Sequence, residues 1–171
     1  MRILAATDFS TRSNRAVRQG GLLAEACGAE LHLLHVVDDD QPAELVDLET
    51  REASRILAET IDSMPELRGV ECRVMVVTGD PFDGILQAAT TIEANLIVMG
   101  AHRRKLRDIF VGTTLERVIR RGPFPVLMVN NEAQRRYENV LAPVDMSETS
   151  ADALQAGQPV QVQVVGRHVE Q

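Results

Sequence analysis

Along this chain, short apolar runs alternate with longer stretches in which apolar residues recur every three or four positions. Residues 2 to 7 (RILAAT) form the first run and lead into Asp8, Ser10 and Thr11, polar side chains suited to N-capping a helix. Ala16, Val17, Gly20, Leu23, Ala24 and Cys27 then share one helical face, and Gly28 stands where a left-handed cap is expected. Glu30 to Val37 (ELHLLHVV) is apolar on both faces, the signature of an interior parallel strand covered on each side. After the acidic turn Asp38 to Asp40, a helix is predicted from about Pro42 to Met64, with Ala53, Ile56, Leu57, Thr60, Ile61 and Met64 on its inner stripe.

The beat continues. Glu71 to Thr78 predicts a third strand, and Asp80 and Pro81 a capped helix that buries Phe82, Ile85, Ala89 and Ile92. Asn95 to Met99 predicts a fourth strand, about Thr113 to Arg121 a fourth helix, and Pro125 to Val129 a fifth strand. Such alternation implies right-handed crossovers and an open, doubly wound parallel sheet. In that architecture ligands bind outside the carboxyl ends of the strands, at the switch in strand order.

One segment matches another. Asn139 to Gly157 aligns with Arg2 to Gly20 at a constant offset: Leu141 falls on Leu4, Asp145 on Asp8, Ser147 on Ser10, Ser150 on Ser13 and Gly157 on Gly20. The expected organisation is a domain over residues 1–130, a polar linker over 131–138, and over 139–171 the first strand and helix of a second copy with an unmatched tail. Too few residues follow Asn139 for the whole second copy. Three readings cover the alternating tail Pro159 to Val165: a truncated or frame-shifted chain, a strand pairing with a sheet edge, or a disordered end.

Composition narrows the function. A formal net charge of −7 argues against a general nucleic-acid binder, which needs a broad basic face. No apolar run approaches the roughly 20 residues that cross a bilayer, so the expectation is an untargeted cytoplasmic protein. Cys27 and Cys72 stand apart and are read as reduced core thiols. Met75, Met99 and Met128 are read as core, His35 as a satisfied core or rim histidine, and no metal site is proposed.

Against that acidic background, His102, Arg103, Arg104, Lys105 and Arg107 crowd the stretch between Gly100 and Gly112. A solvated turn is one reading. The other is an anion site, because Gly112 opens a helix at Thr113 whose unpaired N–H groups and threonine hydroxyls can donate to phosphate. Gly100, without a Cβ, lets a backbone or a ligand approach the strand end. The coupling of the basic run to a glycine-framed helix start favours the anion site. Asp8 likewise has two readings, ligand contact and N-cap acceptor.

These motifs together resemble the universal stress protein family: Thr7-Asp8-Phe9-Ser10 closing the first strand, His35 to Val37 ending the second, Gly79-Asp80-Pro81, Met99-Gly100, and Gly112-Thr113. The resemblance covers residues 1 to about 130, and Asn139 to Gly157 resembles the opening of a second copy, as in tandem members. It implies an adenine-nucleotide α-hydrolase-like fold with strand order 3-2-1-4-5 and a site that binds ATP or AMP, with Mg²⁺ only alongside ATP. By that resemblance Ala6, Thr7 and Asp8 lie near ribose or adenine, backbone at Val36 near adenine, and Met99, Gly100, Arg103, Gly112, Thr113 and Thr114 near ribose and phosphates. This chain departs twice from the family pattern. Arg103 replaces the second loop glycine in a loop one residue short, and Ala6 replaces a proline that the partial copy keeps as Pro143. The Arg103 guanidinium could obstruct the phosphate path or pair with phosphate.

The functional expectation is a stress-response nucleotide-binding or sensing protein whose ligand orders the 100–112 loop, dimeric through the Val126 to Val129 edge strand. The alternatives are a ligand-free dimeric module and a slow ATPase. No residue set provides the base and Mg²⁺ ligands that hydrolysis needs. A phospho-acceptor receiver domain is excluded, since it needs paired acids after the first strand and a lysine after the fifth, and the sole lysine is Lys105.

Overall fold

The computed structural model describes residues 1–101 and 113–131, and the backbone of two further strands at 140–143 and 162–165. Met1–Gln134 and Arg135–Gln171 form separate compact units. In the first unit, β1 (Arg2–Ala6), β2 (Glu30–Val37), β3 (Cys72–Thr78), β4 (Leu96–Gly100) and β5 (Val126–Val129) alternate with α1 (Thr11–Cys27), α2 (Ala43–Ser63), α3 (Pro81–Thr91) and α4 (Thr114–Arg121). All five strands are parallel, in the order β3-β2-β1-β4-β5. The open five-stranded sheet expected of the alternation is the observed one.

Strand periodicity sorts the core into two layers. Ile3 and Ala5 of β1, Leu31 and Leu33 of β2 and Val98 of β4 pack on the face that α1 and α2 cover, beside Ala16, Val17, Ala24 and Leu57. Their strand neighbours Leu4, Leu34, Ile97 and Met99 face the other way, onto Phe82, Ile85, Ala89, Leu115 and Val118 of α3 and α4. Leu4, Leu31, Leu33, Leu34 and Ile97 are fully buried, and each such side chain contributes about 1.5–3 kcal/mol of transfer free energy. Gly28 takes the left-handed conformation at φ 60° and ψ 38°, and its N–H closes α1 on the Ala24 carbonyl.

Several expectations shift. Met128 is 45% exposed, because β5 is a sheet edge and Met128 lies on it with no described element above. The first half of α2 buries nothing; only Ala53 and Leu57 within that helix are buried. Cys27 and Cys72 are free but half-buried rather than core, and burial pushes both thiols up from their ordinary value.

In the second unit, β6 (Val140–Pro143) pairs in parallel with β7 (Val162–Val165), Val140 opposite Val162 and Pro143 opposite Val165. The helix expected after Pro143 falls outside the described residues.

Candidate functional site

β1 lies between β2 and β4, so the chain leaves β1 toward β2 and β3 and returns across it to β4 and β5. The crossovers part at the carboxyl end of β1, and there a cavity of about 430 Å³ opens. Residues at the starts of α1, α3 and α4 line it, together with the ends of β1, β2 and β4. Each helix start presents N–H groups and a partial positive charge.

The α1 entrance is built from a chain of hydrogen bonds. The Phe9 N–H donates to Thr7 Oγ1 (3.0 Å), whose hydroxyl donates to Ser13 Oγ (2.9 Å), whose own hydroxyl donates to the Ser10 carbonyl (3.0 Å). Ser10, not Asp8, is the N-cap: Ser10 Oγ accepts from the Ser13 N–H. Asp8 Oδ1 accepts instead from the Ser10 N–H (3.0 Å), a local turn that holds the carboxylate at the rim. Burial alone would raise the Asp8 carboxyl, but the hydroxyls of Ser10 and Ser13 and nearby backbone N–H groups outweigh it and hold the group below its ordinary value. Asp8 is therefore an anion at neutral pH.

Phe9 adopts a left-handed φ of 60°, which costs a bulky residue of the order of 1–2 kcal/mol. Its ring stacks on His35 at 4.2 Å, and His35 Nδ1 lies 2.8 Å from the Thr7 carbonyl. A carbonyl only accepts, so Nδ1 carries the proton. His35 thus ties β2 to the turn that presents Asp8.

The α3 and α4 entrances are capped in turn. Asp80 Oδ1 accepts from the N–H groups of Phe82 (2.9 Å) and Asp83 (3.2 Å), while Oδ2 pairs with Arg117 of α4 at 3.1 Å. The Arg117 guanidinium lies 4.3 Å above the Phe82 ring. Pairing with Arg117 leads the causes that hold the Asp80 carboxyl below its ordinary value, assisted by the two backbone N–H groups. Thr113 is the N-cap of α4 rather than its first residue, with Oγ1 accepting from the Glu116 N–H (3.2 Å), so its hydroxyl proton remains a donor.

Gly100 has a specific reason. A Cβ there would stand 2.7 Å from the Arg12 carbonyl oxygen and 3.0 Å from the Ser13 nitrogen. Of the two approaches that the missing Cβ allows, the structure displays the backbone one: the first turn of α1 rests against the end of β4.

Of the sequence-predicted site residues, Ala6, Thr7, Asp8, Val36, Met99, Gly100, Thr113 and Thr114 all line this one cavity. Arg103 and Gly112 lie outside the described residues. Sequence reasoning passed over Arg12, Ser13 and His35 as lining residues. Arg12 carried a signal, since it is a cation in the first turn of a helix with no acid there, where the helix dipole disfavours positive charge. The assembled chemistry is one carboxylate, one guanidinium, threonine hydroxyls and helix-start N–H groups around an apolar floor of Val36, Ile85 and Met99. Among the described residues no cluster of histidine, cysteine and acidic side chains could hold a metal ion, and no helix is long and apolar enough to cross a membrane.

Comparison with known proteins agrees with the geometry. The chain is 31% identical over 137 residues to universal stress protein MJ0531 of Methanocaldococcus jannaschii, covering 75% of this chain and 81% of that protein. A solved member from Burkholderia pseudomallei superposes with a TM-score of 0.63 at 31% identity, covering 76% of this chain and 96% of that one. A universal stress protein solved in complex with cAMP superposes with a TM-score of 0.60 at 26% identity, covering 76% and 97%. The model of the universal stress protein family matches residues 1–130, so the chain belongs to the universal stress protein family.

Proposed function

We propose that this chain is a stress-response protein that binds an adenine nucleotide, ATP or AMP, in the cavity at the carboxyl end of β1. The observation that carries the reading is the convergence of the Asp8 carboxylate and the starts of α1, α3 and α4 on one cavity of nucleotide size. The relative solved with cAMP, of the same fold, supports the ligand class. Adenine lies on the apolar floor against backbone at Val36, the ribose hydroxyls donate to Asp8, and the phosphates take N–H and hydroxyl donors at Thr113 and Thr114. Arg103 and Gly112 join the phosphate side by resemblance to the family loop. Mg²⁺ enters only with ATP, on the phosphates.

Binding rather than turnover is the function: the single carboxylate among the described lining residues is engaged with the Ser10 N–H. The Val126–Val129 edge, with Met128 exposed and no described strand beyond it, supports a homodimer built through β5. One purified sample tests the nucleotide reading. Denaturation is expected to release adenine-absorbing nucleotide, and added ATP to raise the melting temperature of protein stripped of it. Protein that carries none and shows no shift with ATP or AMP is the ligand-free module instead, and appearance of ADP on incubation marks the slow ATPase.

A further inference from the structure

Two charged side chains line the described cavity, Asp8 and Arg12. Asp8 is held by the Ser10 N–H. Arg12 is exposed and makes no hydrogen bond or ion pair with any described residue, unlike Arg15 of the same helix and Arg117 and Arg120 of α4. Arg117 pairs with Asp80, Arg120 with Glu116, and Arg15 reaches the Asn130 carbonyl. Its position is fixed by the backbone: the Arg12 carbonyl fills the space a Cβ of Gly100 would need, so the residue sits at the root of the connection from β4 to α4. Thr113 and Thr114, which follow that connection, line the same cavity. The first turns of α2, α3 and α4 carry Glu44, Asp83 and Glu116, whereas that of α1 carries no acid and has only Asp8, before the cap, as a nearby anion.

A guanidinium with no partner among the described residues, lining a cavity at the positive end of a helix, is placed to take an anion. We propose that Arg12 makes this cavity read the number of phosphates on its nucleotide, pairing with the distal phosphates of a nucleoside di- or triphosphate and favouring them over a monophosphate. The inference rests on the nucleotide reading above and specifies its ligand class. Arginine suits the task because its planar fork forms paired, charge-assisted hydrogen bonds with phosphate oxygens and stays charged at every physiological pH.

Calorimetric titration of the full chain with adenosine, AMP, ADP and ATP at fixed ionic strength tests it. In the unaltered protein affinity is expected to rise from AMP to ADP and ATP. Arg12→Gln should weaken ATP by tenfold or more, leave adenosine unchanged within twofold, and flatten the salt dependence of ATP binding; Arg12→Lys should recover part of the loss. Equal ATP affinity in Arg12→Gln and the unaltered chain overturns the role of Arg12 alone. A parallel fall for adenosine and ATP also overturns it, by showing that the substitution disturbs the whole site. If the unaltered chain binds none of the four, the nucleotide reading falls and this inference with it.

Discussion

The entrances of α1 and α3 look alike in outline, each a strand end, a polar cap and a helix start on the same cavity, yet they differ in what is left over. At α3 the cap is a carboxylate, Asp80, and both of its oxygens are engaged, one by two backbone N–H groups and one by Arg117. At α1 the cap is the neutral Ser10; of the charges beside it, Asp8 is held by neutral donors, the Ser10 N–H and nearby serine hydroxyls, and Arg12 has no partner among the described residues. The first junction closes on itself and holds α3 to α4. The second leaves its charges lining the cavity. A helix start at a ligand-binding sheet end is thus not by itself a binding element; what matters is whether its polar groups already have partners.

The largest expected effect comes from forcing the α1 entrance open. Gly100→Ala places a Cβ 2.7 Å from the Arg12 carbonyl, and since the obstacle is backbone, α1 must move as a unit. Overpacking of this kind costs about 2–3 kcal/mol, read by urea unfolding, and nucleotide binding should be lost with it. A variant as stable as the parent would mean that β4 and α1 are not in close contact.

Next comes a change that should separate the two entrances. Asp8→Asn keeps an oxygen to accept the Ser10 N–H but removes the charge, so stability is expected to change by less than about 0.5 kcal/mol. Nucleoside affinity should fall about tenfold, since a hydrogen bond to a charged acceptor is worth about 1.5–3 kcal/mol. Titration with adenosine checks it, and an unchanged dissociation constant would remove Asp8 from the ribose contact.

The same contrast explains how much could be read from the sequence. The strands and helices were legible because each carries its own period and its own punctuation: Gly28 closes α1, Asp80 and Pro81 open α3, and the two-sided apolar run Glu30–Val37 announces an interior strand. Ala6, Thr7, Asp8, Val36, Met99, Gly100, Thr113 and Thr114 were legible as lining residues because strand ends and helix starts are local features that a parallel sheet must bring together. Assigning the cap was harder. Asp8 and Ser10 are both good caps, and only the left-handed turn at Phe9, stacked on His35 from β2, decides that Ser10 takes the role. The wall position of His35 depends on contacts between β1 and β2, which no local pattern encodes, whereas Arg12 carried only the faint local signal of a cation in an acid-free first turn. Met128 failed for a related reason: an apolar residue in a strand looks buried until the strand proves to be an edge.

The smallest effect belongs to the closed junction. Asp80→Asn retains a cap acceptor for the Phe82 and Asp83 N–H groups and removes the pairing with Arg117, whose partners are 35% and 45% exposed. Partly exposed pairs contribute under about 1 kcal/mol, so the loss should be a fraction of that of Gly100→Ala. The pH dependence is the sharper signature. Because Asp80 is held below its ordinary value of 3.8 when folded, the unfolded chain binds its proton first as pH falls. The contribution is therefore fully present above the unfolded value and disappears as pH drops through the folded one. The stability gap between the parent and Asp80→Asn should accordingly be constant near neutrality and narrow in acid below about pH 4. Adenosine and ATP affinities at neutral pH should match the parent's in this variant, in contrast with Asp8→Asn. If Asp80→Asn instead weakened the nucleotide as much as Asp8→Asn, the two entrances would be one electrostatic unit, and the division between a closed and an open junction would be wrong.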